Sequence, residues 1–390
     1  IEVEANRSFS MFHSEDFRRN EILGNGVDRF QEEYEHLNVR EVGSYNITYF
    51  AMNTLSQDIP ALFAQFEDNR NVVANRLTNA GAGTHLDSAQ AAANFPLGYG
   101  RSQQAVLVPS FIAAYSGQDV NAIDVNAEDP SQVLVNILPR PNWRVTYNGL
   151  SKLKGLQDIF AQINISHGYR STLTVNQFET DLLYNETPAS NVNPVTQDFY
   201  SRFEIPDLVI QEALSPLIGV DVRTKTNMSF RMDFKKSRNL NMSFLDGGLN
   251  ETRTEEYVIG FGYRVSGFQL PFMKKRKQDE PEVVPGTTGG RNNRQGRGGL
   301  GGTRQNGDLD ITFDFSLRDD VTFRLILDQE VLEPTRGTRA ITISPAAEYQ
   351  LNKQLSLRFF FDYRKTNPKV STSFPITNTR GGVTVRFSLN

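Results

Sequence analysis

The alternation at the carboxy-terminal end of this chain constrains its fold more than any other feature. Val383, Val385, Phe387 and Leu389 alternate with Thr384, Arg386, Ser388 and Asn390. A strict period of two over that length builds a β-strand with one apolar and one polar face. The pattern returns in Leu355, Leu357, Phe359, Phe361 and Tyr363, set against Ser356, Arg358, Asp362 and Arg364. It returns again in Ile311, Phe313, Phe315 and Leu317, with Thr312, Asp314, Ser316 and Arg318 between them. In a soluble sandwich such an apolar face packs inward. In an outer-membrane barrel it meets lipid, and the charged face lines a wet lumen.

Composition narrows the choice. A net charge of -4 over 390 residues, from 41 basic and 45 acidic side chains, argues against nucleic-acid binding as the main task. The absence of cysteine removes disulfides, thiolate nucleophiles and cysteine-based metal sites together. A mean hydropathy of -0.44 and the lack of a long apolar run exclude a transmembrane helix. They leave a barrel open, because barrel strands are only half apolar. The chain opens Ile1-Glu2-Val3-Glu4, already in strand alternation, and is expected to be the tail of something longer.

The pattern divides the chain into five stretches. Residues 1–55 hold barrel strands around a polar insert, Arg18 to Asn38, with a turn signal at Asn25-Gly26. Residues 56–140 break the alternation and form a mainly helical insert, a cap or gate. There Asp58 and Pro60 mark a helix start, and Ile59, Leu62, Phe63 and Phe66 share one helical face. A second helical piece runs from Pro109 to Tyr115 and closes at Gly117. Phe63, Phe66, Phe111 and Tyr115 need an apolar surface, and are expected to pack on each other at one mouth of the barrel. Residues 141–270 return to strands, 271–307 form a flexible Gly/Arg-rich loop, and 308–390 carry the carboxy-terminal strands, five in number.

Strand length and loop asymmetry favour the membrane. Runs such as 254–267 and 354–364 reach or exceed the roughly 9–11 residues that cross a bilayer as a tilted strand. Tight turns at Arg318-Asp319-Asp320 and Leu351-Asn352-Lys353 alternate with long connections at 271–307 and 365–379. With a periplasmic carboxy terminus, five strands place the 271–307 loop on the cell surface. The expected fold is mostly β: a section of a large antiparallel transmembrane barrel with a small helical insert and long loops. Phe230, Phe234, Phe261, Phe315, Phe359 and Phe387 are the expected lipid-facing residues. Arg231, Asp233, Arg264, Asp314, Arg324, Arg358, Asp362 and Arg386 are the expected lumen-facing ones. A lumen with both signs interleaved is wet and weakly selective, suited to large cargo.

Three longer stretches carry a specific resemblance: Pro141-Asn142-Trp143-Arg144-Val145-Thr146-Tyr147-Asn148-Gly149-Leu150, Ile163 to Ser171, and Thr226 to Leu240. They look like the carboxy-terminal part of the SprA (Sov) family of Bacteroidota, and the similarity runs in the same order across essentially all 390 residues. That resemblance implies a section of a giant single-chain barrel in the outer membrane, the translocon of the type IX secretion system, also needed for gliding motility. It implies a protein-conducting pore with a lateral opening, and as partners secreted cargo proteins, a PorV-like shuttle barrel, a periplasmic plug protein, outer-membrane lipid and lipopolysaccharide. It implies neither enzymatic activity nor a cofactor. Arg380-Gly381-Gly382-Val383-Thr384-Val385-Arg386-Phe387 also resembles the assembly signal of outer-membrane proteins, with Ser388-Leu389-Asn390 added beyond the aromatic.

Two other functions fit parts of the pattern: a small-molecule porin or receptor-type transporter, and a soluble β-rich adhesion module. The remaining motifs carry little. Glu33 and His36 have helical ligand spacing, but a di-metal bundle needs two such motifs. Asp124 to Asp129 starts like a calcium loop and lacks the glycine and glutamate such a loop needs. The Arg-Gly-Gly runs of the long loop have no aromatic residues between Lys274 and Gly307 on which bases would stack.

Overall fold

The computed structural model describes residues 1–22, 31–80, 95–125, 134, 136–187, 190–268, 307–327, 331–351, 354–370 and 373–388, with the side chains of 19–36 outside the description. The strands are β1 (Glu2–Glu4), β2 (Arg7–Ile22), β3 (Gln31–Thr48), β4 (Asn142–Tyr147), β5 (Phe160–Thr180), β6 (Phe203–Glu204) and β7 (Asp207–Thr224). They continue with β8 (Met228–Ser243), β9 (Gly248–Phe268), β10 (Gly307–Ile326), β11 (Val331–Gln350), β12 (Leu355–Pro368) and β13 (Ile376–Phe387). All 13 belong to one antiparallel sheet, with neighbours in the order β1-β4-β5-β7-β8-β9-β10-β11-β12-β13. The sheet is open: β13 pairs only with β12 among the described residues.

Three expectations about strands change. The polar stretch 18–38 is mostly hairpin, since β2 and β3 pair from Arg7↔Ile47 to Ile22↔Gln31. Only four strands, β10 to β13, follow the long loop. Arg318-Asp319-Asp320 is not a turn. It lies inside β10, where Asp319 pairs with Glu255 on one side and Arg339 on the other. Three charges in succession look like a turn locally, and Arg339 opposite Asp319 with Glu256 opposite Arg318 give them partners of opposite sign in the sheet. Of the expected long loop, 269–306 lies outside the described residues, and Gly307 already belongs to β10.

The helical insert is α1 (Met52–Leu55), α2 (Ile59–Ala80) and α3 (Gln104–Ser116). On α2 the buried positions Ile59, Leu62, Phe63, Phe66, Val73, Ala74 and Leu77 follow helical spacing and form one stripe. Every residue of α3 from Ala105 to Ser116 is buried, so it lies between α2 and the sheet rather than at a surface. This helix starts five residues before the expected Pro109, which sits inside it, and ends at Gly117 with a φ of 68°. That left-handed closing position is one glycine takes without strain.

The insert interrupts a single strand track. β5 pairs with β3 along Thr172–Glu179 and with β4 along Ile165–Tyr169. The last residue of β3, Thr48, lies opposite Thr172, and the Tyr49 amide still donates to the Ser171 carbonyl at 3.0 Å. Asn142, the first residue of β4, accepts from the Ser171 amide through its Oδ1 at 2.8 Å. Arg140 N–H donates to the Thr48 carbonyl at 2.9 Å, closing the neck of the insert. The chain thus leaves the sheet in mid-strand, builds the helices, and returns to the same track.

Candidate functional site

Register alone assigns every strand residue to one of two faces, because side chains alternate along a strand. The pairs Phe230↔Phe261 and Phe313↔Phe261 join β8, β9 and β10 on one face. Ile311↔Ala347, Ala347↔Phe359 and Phe359↔Val383 carry the same face through β11, β12 and β13. All six expected lipid-facing residues, Phe230, Phe234, Phe261, Phe315, Phe359 and Phe387, lie on this face. All eight expected lumen-facing residues, Arg231, Asp233, Arg264, Asp314, Arg324, Arg358, Asp362 and Arg386, lie on the other.

The apolar face is an exposed band. It runs over β9 from Tyr257 to Val265 and over β10 from Leu309 to Leu317, register partners throughout. The eight steps from the first to the last of these nine residues, at roughly 3.4 Å each, span about 27 Å along the strands. Phe359 is 49 % exposed and Phe387 61 %, although each has apolar neighbours across the strand. Phe234 and Tyr257 stack at 4.4 Å, nearly parallel, at the upper edge. Monomeric soluble proteins rarely leave a contiguous apolar surface of this extent facing water.

A row of charges ends the band. Lys236 lies opposite Glu255, Glu255 opposite Asp319, and Asp319 opposite Arg339, all on the apolar face. Lys236 Nζ reaches Glu255 at 3.0 Å, and Arg339 grips Asp319 through Nε and Nη2 at 3.1 and 3.0 Å. Lys369 joins Asp319 from beyond β12. The sequence does signal this row. On β8 the alternate positions Phe230, Met232 and Phe234 switch to Lys236 and Arg238, then return to Leu240 and Met242.

Beyond the row the same face turns apolar again, and there the helices cover it. Phe63, Phe66, Phe111 and Tyr115 lie in one buried cluster with Leu173, Ile210, Leu240, Met242, Leu249 and Leu325. The structure brings the four rings together, and the surface they cover is the sheet itself, on the side of the exposed phenylalanines. A buried ionic group ties the two layers. Arg238 Nη2 donates to Glu212 at 2.7 Å, to the Thr54 hydroxyl at 2.9 Å and to the Ala51 carbonyl at 3.1 Å. Glu212 also accepts from the Tyr169 hydroxyl at 2.7 Å. Glu251 accepts from Arg253 at 2.6 Å, and Arg253 donates to the Gln57 carbonyl of the insert. Burial pushes the Glu251 carboxyl above its ordinary range, against the pull of Arg253 and Arg238.

The opposite face is polar along its whole length. At the band's level its charges pair at short range: Arg231 with Asp233 at 2.7 Å, Arg264 with Asp308 at 3.1 Å, Arg380 with Asp362 at 3.0 Å. At the helices' level it carries Thr172, Thr174, Asn176, Gln211, Asn239 and Asn241, which line a groove of about 520 Å³. Gly382 leaves room for the Phe360 ring on this face, and Arg380 lies over that ring at 5.3 Å.

No protein-family model matches the chain, and no curated protein matches it. No helix among the described residues is long and apolar enough to cross a membrane. Glu33, His36 and most of the segment 124–135 fall outside the side-chain description.

Proposed function

We propose that this chain is a section of an outer-membrane β-barrel of a Gram-negative bacterium of the Bacteroidota, set in lipid through its apolar face. One observation carries the reading: a continuous exposed band over six strands, about as many residues deep as a tilted strand needs to cross a bilayer's hydrocarbon layer, ends on four of them at a row of charges. A hydrocarbon layer imposes that limit, since charge is costly inside it and favourable at its edge. Edge strands left open in lipid carry unsatisfied backbone groups. The sheet is therefore proposed to close through further strands, in line with the resemblance to much longer proteins.

The finer reading is a protein-conducting pore of the type IX secretion system, with cargo passing along the polar face. Support comes from the resemblance and from that face's chemistry. Several of its charges are paired at short range, and its upper part is rich in Asn, Thr and Gln, a surface that offers few apolar holds to a passing protein. The partners implied are cargo proteins, a PorV-like shuttle barrel and a periplasmic plug.

The membrane reading is tested with nitroxide labels on single cysteines, in a chain that has none of its own. Labels at 357, 359 and 361, examined in reconstituted bilayers, should show 357, 359 and 361 accessible to oxygen and not to a nickel chelate. A nickel-accessible 359 refutes it. The secretion reading is tested by deleting the gene: loss of type IX cargo from the cell surface supports it, and unchanged export removes it.

A further inference from the structure

Where the insert meets the sheet there is a cleft of about 660 Å³ with three features of a binding site. Its apolar wall is Phe50 and Trp143, stacked at 6.3 Å, with the exposed Leu138 at its rim. Its cation is Arg140, exposed and without a carboxylate within ion-pair distance among the described residues. Its floor is closed by Tyr49 and Ser116, 2 % and 3 % exposed, whose side chains lie within hydrogen-bonding reach of each other.

The height of the cleft identifies that something. Trp143 lies opposite Tyr169, Tyr169 opposite Leu214, and Leu214 opposite Lys236, the first member of the charged row. The cleft therefore stands at the edge of the apolar band. Below it on the same face β4 continues through Val145 to Tyr147, which is 53 % exposed. An amphiphile placed here would set a phosphate against Arg140 and an acyl chain past Trp143 down β4 into the band. We infer that this cleft binds an anionic membrane lipid, headgroup in the cleft and chain along Trp143, Val145 and Tyr147. The inference rests on the membrane reading above.

Trp143 is the chain's single tryptophan, so its fluorescence reports on the cleft alone. The full chain in neutral detergent micelles is titrated with phosphatidylglycerol, with phosphatidylcholine and with inorganic phosphate. The expected result is a saturable blue shift with phosphatidylglycerol only, and at least a tenfold weaker apparent affinity in Arg140→Gln. Arg144→Gln, an exposed arginine on the opposite face, should titrate like the parent. Equal responses to the two lipids, or an unchanged Arg140→Gln, overturn the inference. A response to inorganic phosphate alone also overturns it, assigning the site to a soluble anion. A chain that stays in solution without micelles fails at the membrane reading itself, a separate outcome visible before any titration.

Discussion

Arg238 and Arg231 lie seven residues apart on β8 and on opposite faces, and their surroundings set very different costs for removing them. The Arg238 side chain is fully buried against Glu212, also fully buried, at 2.7 Å. Removing one partner of such a pair leaves an uncompensated charge, a cost of about 3–5 kcal/mol. Arg231 is 63 % exposed and its pair with Asp233 is screened by water. Arg238→Ala should therefore lower the urea midpoint steeply, while Arg231→Ala should change stability by about 0.5 kcal/mol or less. Glu251 gives a pH dependence. Its carboxyl titrates above the ordinary 4.5 because burial disfavours the charge. Its stabilising share is then fully present below that value and is lost as pH rises through the raised one. Glu251→Gln should flatten this part of the stability–pH curve, so that parent stability minus variant stability rises towards acid and falls as pH climbs through the raised value. A difference that falls towards acid would mean that the carboxylate, and not the acid, is the favoured form. On the band, Phe359→Arg should cost roughly 2–4 kcal/mol in bilayers, and Thr384→Arg on the polar face far less.

At the scale of elements the decisive fact is the neck of the insert. Thr48 faces Thr172, Tyr49 meets Ser171, and Trp143 faces Tyr169. Joining Tyr49 directly to Asn142 would continue one strand in register, each side chain keeping its face. Deletion of residues 50–141 is therefore expected to leave the strands able to assemble, at the cost of uncovering Leu240, Met242, Leu249 and Leu325. Heat-modifiable migration on gels, the usual mark of an assembled barrel, would check this in outer-membrane fractions. Loss of assembly would show instead that the helices are needed to form the sheet. The insert's position also bears on gating: it covers the apolar face, so on a barrel with that face outward it lies against the outside of the wall.

For the whole molecule, strand parity sets the topology. Four strands run from Gly307 to Phe387, so Phe268 and Gly307, which flank residues 269–306, lie at the same end of the sheet as Phe387. If β13 ends in the periplasm, the long connection is periplasmic too, and the helical insert is on the outer side. Protease added to intact cells should then spare Lys274 to Arg304 and cut there only after the outer membrane is ruptured. Cleavage in intact cells would invert the whole arrangement.

What the sequence determined by itself is what strand and helix geometry make local. Parity along β8, β9, β10, β12 and β13 placed six phenylalanines on one face and eight charged residues on the other, because neighbouring side chains cannot share a face. Helical spacing likewise found the buried stripe of α2. Register and return paths are not local, and only the tertiary structure decided them. Asp319 is a turn residue to its neighbours and a sheet residue to Glu255 and Arg339, far away in sequence. The charged row needs four strands aligned before it exists. Nothing near Thr48 announces that its strand resumes at Asn142, since the pairing that rejoins them runs along β5.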